Sequence, residues 1–123
     1  ELALPYAYVR PKPKDHGMKN QIEGELPAGS KVVVVEDLIS TGGSSLKAVA
    51  ALREAGFEVV GMVASYTYGF PVAEEAFREA NVTLVTLTDY EHVVEKALET
   101  GYIKESEVSM LHDWRKDPAN WRK

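Results

Sequence analysis

The chain has 123 residues, 45% of them hydrophobic and 27% charged, with a formal net charge of -5 and no cysteine. That length allows one domain with a modest core, and the acidic balance argues against a general nucleic-acid or membrane-surface binder. The missing thiols exclude a disulfide framework, a thiolate metal site and a cysteine nucleophile; no apolar run is long enough to span a bilayer, and a cytoplasmic setting is expected.

The opening Glu1-Leu2-Ala3-Leu4-Pro5 lacks a methionine and reads as an entry partway through a helix, so a C-terminal fragment of a longer protein is expected. Residues 6–9 are aromatic and β-branched, which predicts a short strand. From Arg10 to Gly24, two prolines, two glycines and no apolar period predict a loop or a loose hairpin. This stretch sets Arg10, Lys12, Lys14, His16 and Lys19 against only Asp15 and Glu23, a local basic excess in an acidic chain. A turn over 25–30 prepares Val32-Val33-Val34-Val35, a run that predicts a strand buried on both faces. The strand is expected to stop at Glu36-Asp37. Leu38 and Ile39 follow, and Ser40-Thr41-Gly42-Gly43-Ser44-Ser45 then opens into a helix, with Ser44 or Ser45 as its N-cap.

Leu46, Val49, Ala50 and Leu52 give that helix an apolar face, and Gly56 closes it. Residues 57–66, with Val59, Val60, Met62 and Val63, predict a second buried strand. Gly69 and Pro71 interrupt the chain, a helix is predicted over 72–80 and a third strand over 82–87. Thr88-Asp89-Tyr90-Glu91 has capping-box spacing for a helix ending near Gly101. A last helix is predicted over 103–114 and a polar tail over 115–123. His92 and His112 read as structural or surface residues without partners. Tyr66-Thr67-Tyr68 reads either as a stack for a base or as a packed strand end. Alternating strands and helices with short connections imply an α/β fold, a parallel sheet with right-handed crossovers, whose ligands bind at the carboxyl ends of the strands.

The acidic pair and small-residue loop invite a test against known phosphate loops. A Walker A loop needs a lysine after its last glycine, and none follows Gly42-Gly43; a dinucleotide fingerprint needs Gly-x-Gly-x-x-Gly, which Gly42-Gly43-Ser44 does not supply. A sugar phosphate suits what remains. The loop and helix N-terminus take the phosphate, and Glu36 and Asp37 lie within reach of the ribose hydroxyls.

Residues 32–45 resemble the phosphoribosyl pyrophosphate motif of type I phosphoribosyltransferases, where hydrophobic residues precede an acidic pair and a Thr-Gly turn. Tyr8-Val9-Arg10, Lys14-Asp15-His16-Gly17 and Asn20-Gln21-Ile22-Glu23-Gly24 resemble the flexible catalytic loop, here 10–25, of the orotate phosphoribosyltransferase family. The resemblance continues from Phe57 to Trp121. It implies a single domain over 1–123 with that family's parallel sheet flanked by helices, lacking the N-terminal hood. It also implies transfer of a phosphoribosyl group to orotate, giving orotidine 5′-monophosphate and pyrophosphate, with Mg²⁺ held mainly by substrate oxygens. Arg10, Lys14 and His16 match the pyrophosphate-contacting positions. Glu36, Asp37, Leu38, Ile39, Ser40, Thr41, Gly42, Gly43 and Ser44 match the ribose-phosphate cradle, and Ser40 also matches an orotate-contacting position. Lys14, Asp37 and Glu36 are the implied catalytic residues. The loop is implied to act in a partner subunit's site, which makes the protein a homodimer. Pro11 departs from a lysine that many relatives carry, and Ser65-Tyr66-Thr67-Tyr68 lacks an arginine found in some. The alternatives are a purine-type phosphoribosyltransferase, which the Lys-Asp-His-Gly loop opposes, and a phosphoribosyl-pyrophosphate-sensing regulator of nucleic acid, which the net charge opposes.

Overall fold

The computed structural model describes residues 4–10 and 22–121. A two-residue strand β1 (Tyr8–Val9) pairs antiparallel with β2 (Ile22–Glu23), so the basic stretch is spanned by a hairpin base. The main sheet contains β3 (Lys31–Ile39), β4 (Glu58–Thr67) and β5 (Leu84–Asp89), all parallel and adjacent in that order. Helix α1 (Gly43–Glu54) joins β3 to β4, and α2 (Pro71–Glu79) joins β4 to β5. Helices α3 (Tyr90–Glu99) and α4 (Glu105–Lys116) follow, then a single 3₁₀ turn at Pro118–Asn120.

The expected α/β fold with helices on a parallel sheet is observed. Both crossovers step in the same direction across the sheet, and right-handed connections of that kind place their helices on one face. Val49 and Leu52 of α1 and Ala73 and Phe77 of α2 accordingly share one buried cluster with Val34, Ile39, Met62 and Ala64 of the sheet. The other face is different. Val35, Val63 and Val85 stand side by side across the three strands, and Val35 is 78% exposed. Val33 and Leu87 extend this apolar row, Leu87 being 79% exposed. The valine strand is therefore covered on one face only, contrary to its composition: β-branched alternation suits either arrangement, and only the placement of helices distinguishes them.

Several boundaries move. β3 runs through Glu36-Asp37 to Ile39 instead of stopping at the carboxylates, because β4 continues to pair with it as far as Thr67. The third strand starts at Leu84, since Val82 is used to close α2: its N–H reaches the Phe77 carbonyl (3.0 Å), with Asn81 at φ 57° bonding Arg78. Gly56 does close α1, its φ of 93° allowing its N–H to meet the Arg53 carbonyl and that of Phe57 the Leu52 carbonyl, both at 3.0 Å. The last helix begins at Glu105 and extends to Lys116, so Arg115 is helical and not part of a tail. At its start the Lys104 N–H donates to Glu107 Oε1 at 2.8 Å.

Neither predicted serine caps α1. The N-cap is Gly42, and Ser45 is buried within the first turn. For α3 the cap is Asp89, one residue after the predicted Thr88, and its Oδ1 accepts from the His92 N–H (2.9 Å). The same oxygen lies 2.7 Å from His92 Nδ1, so His92 has the partner that its sequence neighbours did not reveal. The His92 N–H first and then its ring hold the Asp89 carboxyl below its ordinary range, while Asp89 raises the imidazole above its ordinary 6.5.

Two measurements check this description. In the 123-residue chain, Val35→Thr and Leu87→Thr should each move stability by no more than about 0.5 kcal/mol in urea unfolding, whereas Met62→Ala, in the covered face, should cost about 2–5 kcal/mol. A depressed carboxylate stabilises above its unfolded value and a raised imidazole stabilises below its own. The stability lost in His92→Ala should thus be greatest between about pH 4 and 6.5, shrinking as pH rises through the raised imidazole value or falls through the lowered carboxyl value.

Candidate functional site

The carboxyl end of β3, the turn that follows it and the first turn of α1 form the site. Ile39 is the anchor: its side chain is 1% exposed in the core, and its carbonyl accepts the Tyr68 N–H at 3.2 Å. After it, Ser40 and Thr41 are exposed, Gly42 is buried, and Gly43 and Ser44 are exposed again. Gly42 takes φ 85°, ψ 0°, a left-handed conformation that turns the chain sharply from strand to helix. Its carbonyl accepts the Leu46 N–H at 2.9 Å, which starts the helix.

A glycine N-cap brings no side-chain acceptor, so the first-turn N–H groups of α1 have no cap bond and point toward whatever sits at the turn. No acidic residue lies in that first turn, whereas the other three α-helices carry Glu74, Glu91, and Glu105 with Glu107 in theirs. The positive end of the α1 dipole is therefore left uncompensated by its own sequence. Ser40, Thr41 and Ser44, all exposed, bring hydroxyl groups to the same turn. Such a combination has the chemistry to hold an anionic oxygen cluster such as a phosphate.

Glu36 and Asp37 precede the turn. The inward–outward alternation of the strand breaks just after this pair, where Leu38 is exposed and Ile39 buried. Asp37 is exposed, and its Oδ1 accepts the Leu38 N–H at 2.7 Å, which orients the carboxylate; Glu36 is half-buried. Leu38 is 44% exposed at the surface of the same strand end. Among the described residues no group of three or more His, Cys, Asp or Glu could hold a metal by itself.

Arg10 leaves the β1–β2 hairpin and forms an ion pair with Glu23 across it. The paired strands β1 and β2 lie against the body of the fold, β1 beside α1 and Val9 and Ile22 against the core. Lys14 and His16 lie outside the described residues.

The segment after β4 forms a second wall. Tyr66 pairs in register with Leu38, and Tyr68 stacks on Phe70 with ring centroids 5.2 Å apart. Tyr68 also meets Tyr66 edge-on at 5.1 Å and Trp114 at 5.7 Å. Of the two readings left open for Tyr66-Thr67-Tyr68, the packed strand end is the one formed, since Tyr68 is stacked on Phe70 and flanked by Tyr66, Tyr90 and Trp114. Tyr90 donates its hydroxyl to the Leu111 carbonyl (2.8 Å) and carries the Arg115 guanidinium over its ring at 6.0 Å. Burial, then the neighbouring phenols Tyr68 and Tyr90 and the Asp89 carboxylate, push the Tyr66 hydroxyl up to about 12. The sequence expectation left Arg115 in a polar tail and gave Trp114 no part in this wall. The signal available was the Met110, Leu111, Trp114 spacing, which continues a helical apolar stripe through residue 114.

Residues 1–100 match the phosphoribosyl transferase domain. The chain belongs to the phosphoribosyltransferase family. It is 70% identical over 120 residues to the orotate phosphoribosyltransferase of Bacteroides thetaiotaomicron, covering 98% of this chain and 57% of that protein. Orotate phosphoribosyltransferase from Aeropyrum pernix has a similar structure, with TM-score 0.68 and 34% identity over 81% of this chain and 54% of that one. Orotate phosphoribosyltransferase from Mycobacterium tuberculosis in complex with 5-phospho-α-D-ribosyl 1-diphosphate matches with TM-score 0.52 and 34% identity, over 58% of this chain and 42% of that one. The chain spans 57–58% of the length of curated relatives that it matches, so it corresponds to a little over half of such a phosphoribosyltransferase. Among the described residues no helix is long and apolar enough to cross a membrane.

Alkaline spectrophotometric titration tests the aromatic wall. Tyr66→Phe should remove a phenol that ionises near pH 12, well above the ordinary 10, and leave the earlier part of the titration unchanged.

Proposed function

We propose that this chain is the phosphoribosyl-pyrophosphate-binding part of a cytoplasmic orotate phosphoribosyltransferase. The reaction joins orotate to the ribose 5-phosphate group, giving orotidine 5′-monophosphate and pyrophosphate for UMP synthesis. The observation that carries the reading is the uncapped, acid-free N-terminus of α1 directly after Glu36-Asp37, in a chain 70% identical to a protein of that name. The relative solved with 5-phospho-α-D-ribosyl 1-diphosphate supports that substrate.

In this reading residues 32–45 are the substrate motif and 10–25 the catalytic loop. Ser40, Thr41, Gly42, Gly43 and Ser44 hold the 5-phosphate through hydroxyls and backbone N–H groups, with Ser40 also reaching the base. Cleavage of the anomeric bond leaves positive charge on the ribose ring. Asp37, held in orientation by the Leu38 N–H, and Glu36 stabilise that charge from the strand end. Negative charge grows on the departing pyrophosphate, and Arg10, Lys14 and His16 neutralise it. To do so, Arg10 exchanges its Glu23 partner for a phosphate oxygen. No cluster of the described residues would hold Mg²⁺ by itself, so Glu36 and Asp37 would at most support an ion brought by the substrate, where it would supply further charge neutralisation. The loop acts in the site of a second subunit.

The test is orotate consumption by the full-length protein with Mg²⁺, with and without phosphoribosyl pyrophosphate. Consumption that requires phosphoribosyl pyrophosphate is expected; tight binding of it with no turnover would sink the enzyme reading. Asp37→Asn and Lys14→Ala should each lower kcat by about 10²–10³-fold with the fold intact. Mixing the two variants should restore part of the activity through dimers that hold one unmodified site, and no recovery would count against a loop acting across subunits.

A further inference from the structure

We propose that Phe77 is a positioning residue for the phosphate cradle, setting through Gly42 the height at which the turn sits on the sheet. This rests on the cradle reading above. Gly42 is the only buried residue of the turn between Ile39 and α1, and its buried side faces α2. A Cβ built there would lie 2.8 Å from Phe77 Cε2, 3.5 Å from Cδ2 and 3.7 Å from Cζ. The ring edge is thus pressed against the Gly42 backbone, closer than any side chain would permit. Phe77 itself is 4% exposed and stands in the same buried cluster as Ile39 and Val49, which flank the turn in sequence.

The geometry makes this more than ordinary packing. Gly42 is where β3 becomes α1: it carries the left-handed φ and supplies the first helical acceptor. The exposed residues on either side, Ser40, Thr41, Gly43 and Ser44, have no comparable buried anchor. Phe77 also lines a cavity of about 370 Å³ with Ala73, Val82, Leu84 and Thr86. An aligned set of N–H donors loses its advantage with displacements well under 1 Å, so a ring that sets the depth of Gly42 controls how well the donors meet a phosphate. Phe77 also belongs to the second β-α-β unit, so the cradle of the first unit takes its position from the second.

Phe77→Leu tests this, because it keeps apolar volume and removes the ring edge. In the full-length protein with Mg²⁺, calorimetry and kinetics should show phosphoribosyl pyrophosphate binding weakened about tenfold, KM raised to match, and kcat within about threefold. Val94→Ala, a buried change in α3 remote from the turn, should lower Tm while leaving that binding within about twofold. Binding by Phe77→Leu within about twofold of wild type would overturn the proposal, as would an equal loss in Val94→Ala. A double-mutant cycle reads the contact without ligand: Gly42→Ala should cost less Tm in the Phe77→Leu background than in wild type, and equal costs would overturn it. A wild-type protein that binds no phosphoribosyl pyrophosphate would overturn the cradle reading itself, and the cycle would still score the Phe77–Gly42 contact.

Discussion

The parallel pairing of β3 with β4 constrains everything else in the molecule. It runs from Lys31 opposite Glu58 to Ile39 opposite Thr67, with one irregularity after Val32. Parallel neighbours need a crossover, so a helix must begin soon after Ile39 and return the chain to Glu58. The pairing also holds the end of β3 straight until the turn. Tyr68 then closes on the Ile39 carbonyl, so the strand end cannot fray into the loop. The cradle is consequently a short, sharply bent link between two rigid elements, and glycine in a left-handed conformation meets that requirement without strain.

Electrostatics divides the site into two regions. The α1 N-terminus and its hydroxyls are positive and donor-rich, while Glu36 and Asp37 immediately before them are negative. A sugar phosphate has the complementary layout, an anionic end joined to a ring that becomes cationic when its anomeric bond breaks. Arg10 is paired with Glu23 across β1 and β2, which lie beside α1. This charge layout is local to the strand end and the turn, and the net charge of -5 does not reveal it.

The apolar row of Val33, Val35, Val63, Val85 and Leu87 shows a limit of reading strands by composition. A valine-rich strand next to a glycine-rich turn correctly indicates a parallel sheet. It does not say which face is covered, because the side-chain alternation is apolar on both. Helix ends show the same limit. Small polar residues at 40–45 and 88–91 announce helix starts, yet the capping residue is Gly42 in one and Asp89 in the other, decided by where the preceding strand releases the chain.

By itself the sequence determined what depends on local chemistry: the order of strands and helices, the turn glycines, the acidic pair and the hydroxyl-rich loop that follows it. These follow from side-chain periodicity and backbone preference within a few residues. Only the tertiary structure decided which oxygen caps α3, that His92 lies on Asp89, that Tyr68 is enclosed by Phe70 and Trp114, and that Arg115 reaches Tyr90 from the last helix. It also decided that Phe77, an apolar residue 35 positions beyond Gly42, lies against it. Contacts of that kind depend on how one helix settles on a twisted sheet, and no local pattern of residues encodes that distance.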